Sequence, residues 1–339
     1  MGASLLLRAN ASEEIGAGHV MRLIALAQGA RREGCDVHFV LGGDASVCAA
    51  KVADAGFGAS ASVGPFGSTA DLESLQALAV AKRATAVVVD GYDFKAPYLA
   101  KLAESRTTAV IDDLAEEHIP AHVIVNPNYG AERLAYSVGR ETRVLAGSDY
   151  ALLRSEFVNV PRPTRSASEP RLVVTFGGSD PVNASTRIIK VLSSLQLAFP
   201  VRVIVGSGFR GGKELGAAIE SSGLHIEVVR DPSDMAACLA WGNLAISAAG
   251  GPLWELSYLR LAVAAFSIVD NQDETARSLA ERSMIFGGQR LSSLGDRELA
   301  LVLEEFLFDA DRRRACADRY HQLIDGRGAE RVMAEILSI

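Results

Sequence analysis

The sequence predicts an α/β protein of two Rossmann-like domains, and three observations carry that expectation. At 339 residues the chain is longer than an ordinary single domain of roughly 150. Continuous apolar, β-branched runs, the mark of strands buried on both faces, alternate with helix-favouring stretches. The alternation stops at a proline-rich tract and then starts again.

In the first half the strand-like runs are Leu5 to Leu7, Val37 to Leu41, Ala86 to Val89, Thr108 to Ile111 and Val123 to Val125. Helical stretches such as Met21 to Glu33 and Asp71 to Lys82 lie between several of them, so residues 1–157 are expected to form a doubly wound parallel domain. Residues 158–170 hold three prolines and no period, which predicts a linker and hinge. The pattern resumes with Leu172 to Phe176, Val201 to Val205, Ile226 to Val229, Leu244 to Ser247 and Val263 to Ile268, separated by helices such as Ala184 to Ser194. A second α/β domain is therefore expected over 171–320. From Asp296 onward the chain is charged and helix-favouring, and Arg312, Arg313 and Arg314 read as a solvated helix face. In residues 321–339, a last helix after Asp325-Gly-Arg-Gly328 is expected, by fold analogy alone, to cross back onto the first domain.

Composition narrows the function. A net charge of −7 argues against a nucleic-acid partner, whose binding draws on basic patches. No apolar run reaches the roughly 18 to 20 residues that cross a bilayer, so no membrane insertion is expected. Only three strongly apolar residues precede Arg8, too few for a secretory leader. Cys35, Cys48, Cys238 and Cys316 lie far apart without a Cys-x-x-Cys pair, and His38, His118, His122, His225 and His321 show no metal-ligand spacing. The expectation is a cytoplasmic monomer without a metal or cofactor. Neither a Gly-x-Ser-x-Gly elbow nor a Walker loop occurs, which removes those hydrolases and ATPases.

The candidate chemistry lies where buried strands end. Arg8-Ala-Asn10 leads through Gly16-Ala-Gly18-His19 into a helix carrying Arg22. Glycines at such a turn let backbone N–H groups approach phosphate, or serve geometry alone. An imidazole titrates near neutrality when free, which makes His19 the candidate general base. Asp90-Gly91-Tyr92 ends another strand in a polar, aromatic mouth, where Tyr92 contacts the sugar, positions a water or packs. Gly177-Gly178-Ser179-Asp180 follows a strand of the second half, and reads as a cleft-facing loop or as a capped helix start. Ala249-Gly250-Gly251-Pro252 opens a further helix whose N–H groups suit a diphosphate, and Glu255 either accepts from ribose hydroxyls or stabilises the helix dipole. Asn271 and Gln272, each both donor and acceptor, form one more strand mouth or an ordinary turn.

Taken together these residues resemble the UDP-sugar hydrolase family of pseudaminic acid biosynthesis. The carriers are Ile15-Gly16-Ala17-Gly18-His19 with Arg22, Asp90-Gly91-Tyr92, Leu145-Ala-Gly-Ser-Asp-Tyr150-Ala-Leu-Leu-Arg154-Ser-Glu-Phe157, Phe176-Gly-Gly-Ser-Asp-Pro-Val-Asn183, Ile246-Ser-Ala-Ala-Gly-Gly251 with Glu255, and Asn271-Gln272. The resemblance implies the GT-B architecture, with two Rossmann-like domains facing across a cleft. It implies metal-independent release of UDP from UDP-2,4-diacetamido-2,4,6-trideoxy-β-L-altropyranose, with inversion at the anomeric carbon. On that resemblance His19 activates water, Tyr92 and Asn271 contact sugar and phosphates, and Glu255 holds the uridine ribose. Arg8, Asn10, Gly16, Gly18, Arg22, Asp90, Gly178, Ser179, Asp180 and Gln272 would line the substrate, with Gly177, Ala249, Gly250 and Gly251 on UDP. Implied partners are the UDP-sugar and its UDP product. The chain departs from the family at Asn10, usually aspartate, which keeps hydrogen bonding but not charge. It also has Pro252 and Leu253 where a hydroxyl residue often follows the glycines. A GT-B transferase passing the sugar to an acceptor, and a nucleotide-sugar sensor without turnover, are the rival readings.

Overall fold

A computed structural model describes residues 2–10, 18–43, 46–160 and 170–339. Most of the expected linker and Gly16 lie outside the described residues. The chain divides into two compact units, the first formed by Met1–Ser155 with Gly326–Ile339 and the second by Glu156–Asp325.

Unit 1 runs β1 (Ser4–Asn10), α1 (Gly18–Arg32), β2 (Asp36–Gly42), α2 (Ser46–Asp54), β3 (Gly58–Ala61), α3 (Thr69–Ala81), β4 (Ala86–Asp90), α4 (Ala96–Ala103), β5 (Thr107–Ile111), β6 (His118–Ile119), β7 (Val123–Asn126), β8 (Ser137–Val138) and β9 (Arg143–Ala146). Seven strands form one sheet in the order β3-β2-β1-β4-β5-β7-β9, every pair parallel. Alternation along β1 shows why both faces must be covered. Leu5, Leu7 and Ala9 pack with Leu23 and Ile24 of α1 on one face, and Leu6 packs with Leu72 and Leu75 of α3 and Leu99 of α4 on the other.

Unit 2 follows α5 (Ser155–Val158) with β10 (Leu172–Thr175), α6 (Ala184–Leu192), β11 (Val201–Val205), α7 (Gly212–Ser222), β12 (Ile226–Arg230), α8 (Met235–Ala240), β13 (Leu244–Ala248), α9 (Pro252–Tyr258), β14 (Ala262–Ser267), α10 (Asp273–Glu281), β15 (Phe286–Arg290), α11 (Asp296–Phe308) and α12 (Ala310–Tyr320). Its six parallel strands are ordered β12-β11-β10-β13-β14-β15. The chain then contributes α13 (Gly328–Leu337) to unit 1, where Val332, Met333 and Ile336 join the core under α1. The seam is tight: a Cβ on Gly29 would sit 2.9 Å from the Cβ of Ala329.

In each sheet the strand order reverses direction once, between β1 and β4 in unit 1 and between β10 and β13 in unit 2. In open α/β sheets ligands collect beyond the carboxyl ends of the strands at such a switch point. No described helix is long and apolar enough to cross a membrane.

Candidate functional site

The unit 1 mouth is built at its switch point. His19 is the second residue of α1, while Asp90 is the last residue of β4 and Tyr92 stands two residues beyond it. The His19 side chain is 12% exposed, with Nε2 4.0 Å from Asp90 Oδ1. The ring meets Tyr92 edge-on at 5.2 Å between centroids, and its buried Nδ1 has no hydrogen-bond partner among the described residues. One turn further along α1, Arg22 forks between two carboxylates. Its Nε and Nη2 donate to Asp90 at 2.5 and 2.7 Å, and its Nη1 donates to both oxygens of Asp113 at 2.9 Å.

Asp113 lies in the loop after β5 and also accepts from Tyr92 Oη at 3.0 Å and from Asn128 Nδ2 at 2.9 Å. Burial alone would raise its carboxyl, but the charge and hydrogen bonds of Arg22, with the bond from Tyr92, hold it below the ordinary carboxylate range. Arg22 in turn stays protonated despite its burial, because Asp113 and Asp90 stabilise the cation. Two carboxylates and one guanidinium leave this cluster one net negative charge. That charge repels an approaching phosphate.

Several expected residues have other duties. Arg8 was expected to meet substrate but is completely buried: Nε and Nη2 donate to Asp71 at 3.2 and 3.1 Å, and Nη1 to the Ala9 carbonyl at 2.6 Å. It points to the Leu6 face of the sheet, over the Phe94 ring, where it is a core ion pair. Asn10 is also buried, donating through Nδ2 to Asp93 Oδ2 at 2.8 Å. An asparagine here supplies the N–H that Asp93 accepts, which an ionised aspartate lacks. Gly18 is exposed, and among the described residues nothing lies within 4 Å of where a Cβ would stand.

In unit 2 the glycine loops converge by close approach. A Cβ on Gly206, after β11, would lie 2.5 Å from both Cα and O of Gly178, so the β10 and β11 mouths touch through bare backbone. Gly177 adopts φ +84°, while Gly178 is exposed and Ser179 half-buried. Asp180 is 4% exposed and accepts from the N–H groups of Ala184 and Ser185 at 2.7 and 2.8 Å, so the capping alternative holds and the expected substrate contact does not. Ala249 is corrected too: its N–H donates to the Phe266 carbonyl at 2.9 Å, which ties β13 to β14 and leaves nothing for a phosphate.

Gly250 and Gly251 precede α9, where Glu255 stands half-buried in the first turn. Gln272 accepts from Ile268 N–H at 3.0 Å, and its Nε2 would lie 3.0 Å from a Cβ on Gly250, which sets the β14 mouth against the glycine turn. Asn271 beside it is exposed. Among the described residues no group of three or more His, Cys, Asp or Glu side chains could hold a metal ion.

Asp113 and Asn128 escaped the sequence reading. The signal available was the one used for Asp90: Asp112-Asp113 ends the buried run Thr108 to Ile111, and Asn128 follows the run Val123 to Val125.

No family model matches the chain. The uncharacterized protein MJ1062 of Methanocaldococcus jannaschii is 27% identical over 152 residues, 42% of this chain and 31% of that protein. The spore coat polysaccharide biosynthesis protein SpsG of Bacillus subtilis is 24% identical over 217 residues, 62% of this chain and 63% of its own length. The match therefore spans less than two thirds of either relative. Solved structures match over nearly the whole chain. MurG of Acinetobacter baumannii superimposes with a TM-score of 0.69 at 17% identity, covering 99% of this chain and 100% of that one. The UDP-GlcNAc 2-epimerase of Neisseria meningitidis, solved with UDP-GlcNAc, gives 0.66 at 9% identity over 99% and 100%. The fold class is thus α/β with two Rossmann-like units of the GT-B type.

Proposed function

We propose that this chain is a nucleotide-sugar hydrolase that releases UDP from UDP-2,4-diacetamido-2,4,6-trideoxy-β-L-altropyranose. The placement of His19 carries the reading: the imidazole stands at the unit 1 switch point, next to a carboxylate cluster of net negative charge. The motif resemblance supplies the substrate. A role in sugar biosynthesis is supported by the likeness to SpsG, whose name places it in spore coat polysaccharide biosynthesis.

In the proposed step a water oxygen attacks the anomeric carbon from the face opposite UDP. The bond from that carbon to the phosphate oxygen breaks, its electron pair leaves with UDP, and His19 takes the water proton. The configuration inverts. Gly250, Gly251 and the start of α9, with Gly177, Gly178 and Ser179, offer backbone donors for the diphosphate, and Glu255 offers an acceptor for ribose hydroxyls. Neither a metal nor a cofactor takes part in this reading.

Incubating the protein with the UDP-sugar and following UDP is the direct test. His19→Ala is expected to slow release by about 10² to 10⁴, and near wild-type turnover in that variant would remove the assigned base. A transferase with the same fold is the second reading, favoured by the match to MurG. Free sugar formed without any acceptor decides for the hydrolase.

A further inference from the structure

We infer that Arg290 is a positioning residue: it grips the aspartates on either side of Asn271-Gln272 and so holds the Gln272 amide with its N–H groups turned to the Gly250 turn. The ligand that meets this amide rests on the nucleotide-sugar reading, while the placement rests on geometry alone.

Arg290 is the last residue of β15, and its guanidinium reaches across to the β14 mouth. Nη2 donates to Asp270 Oδ1 and to Asp273 Oδ2, each at 2.5 Å, and Nε donates to Asp273 Oδ1 at 3.3 Å. The paired bonds to Asp273 give the bidentate geometry in which a half-buried guanidinium keeps its hold, where a single surface ion pair is worth little. Asp273 also accepts from the hydroxyl of Ser267, the last residue of β14. The hydrogen bonds from Arg290 and Ser267 keep the Asp273 carboxyl below the ordinary carboxylate range, so near neutrality it is ionised and only accepts. The turn from Asp270 to Asp273 therefore begins and ends on one guanidinium.

Inside this grip the Gln272 amide has one orientation. Ile268 stands just past β14, and its N–H donates to Gln272 Oε1 at 3.0 Å. A backbone N–H does not donate to an amide nitrogen, so the oxygen is committed to Ile268 and the nitrogen faces away from it. That nitrogen, Nε2, would lie 3.0 Å from a Cβ on Gly250, at the mouth of β13, one of the two strands flanking the unit 2 switch point. Among the described residues no acceptor takes the Nε2 protons. Gln272 thus offers this mouth donors only, although its residue type carries both donor and acceptor. What fits it is a ligand oxygen with lone pairs, and beside the backbone donors of Gly250 that oxygen belongs to the diphosphate. Arg290 is turned to the aspartates and acts through Gln272.

Two measurements on the full chain test this. Amide exchange followed by NMR reads the grip without a ligand: Arg290→Ala is expected to speed exchange of the Ile268 N–H by about tenfold, as loss of its acceptor does in Gln272→Ala, and to leave the amides within β14 unchanged. An unmoved Ile268, or loosening of the whole strand, overturns the inference. Calorimetry with UDP reads the consequence. Arg290→Ala and Gln272→Ala should each weaken UDP binding by about tenfold, the loss expected for one donor to a charged oxygen. The double variant should bind no more weakly than either single variant within about twofold. Losses that multiply, as the uncovered charge of Asp270 and Asp273 acting alone would produce, overturn it. Gln272→Glu keeps an acceptor for Ile268 but sets an oxygen where Nε2 stood, so it should bind UDP more weakly than Gln272→Ala; equal or tighter binding overturns the donor assignment. Should Arg290→Ala not fold, Asp273→Ala cuts the same grip from the other end and is judged by the same two readings. If wild type does not bind UDP, the nucleotide-sugar reading fails while the exchange of Ile268 still judges Arg290.

Discussion

Arg22 shows how a residue type can mislead about function. A cation at a strand mouth suggests phosphate binding, yet three of its nitrogens are committed to Asp90 and Asp113, and what the cluster offers a ligand is net negative charge. The same pairing makes a prediction about acid. Because Asp113 sits below its ordinary value when folded, its contribution to stability is complete above about pH 4 and is lost as the pH falls through the lowered value. The stability gap between wild type and Asp113→Asn should therefore be largest near neutrality and shrink in acid, as read by urea unfolding at several pH values. A gap that persists unchanged at about pH 2 would show that packing, not charge, holds the site.

At the scale of elements, the long apolar runs were legible: the runs Val37 to Leu41, Ala86 to Val89 and Val201 to Val205 lie within strands, because burial leaves at most one polar position in each, His38 in the first and Arg202 in the last. Three sheet edges were not legible, each for its own reason. In β3 the sequence is Gly-Ala-Ser-Ala, small and mostly exposed; β9, Arg-Val-Leu-Ala, buries only Leu145; β15 contains Gly287 and Gly288 at φ +79° and +91°, which read as a turn. The site was half legible. His19 and Asp90 stand at strand ends, whereas the bond from Arg22 to Asp113 spans 91 residues and leaves no local pattern. Glycines separate in the same way. Gly206→Ala should destabilise unit 2 by about 1–3 kcal/mol, since the backbone of Gly178 must move. Among the described residues Gly251 has nothing within 4 Å of a Cβ, and its conformation is right-handed, so Gly251→Ala should leave Tm unchanged. On the proposed nucleotide role it should nonetheless weaken UDP binding by about tenfold in calorimetry, and an unaltered Kd would take Gly251 out of the site.

For the whole molecule, the decisive feature is that unit 1 is assembled from two stretches of chain separated by all of unit 2. Without α13, Val332, Met333 and Ile336 leave the core, and each is at most 2% exposed. Burial of such side chains is worth about 1.5–3 kcal/mol apiece, so removal of residues 327–339 should unfold unit 1 or lower its unfolding temperature sharply. Unit 2 should keep its own transition in the same calorimetric scan. Loss of both transitions together would show that the units do not fold separately.

That arrangement also sets a schedule on the ribosome. The first strands to emerge wait for α13, so the lobe translated first is the last to close, and Leu23 and Ile24 of α1 stay open to solvent or to a chaperone while the inserted lobe matures.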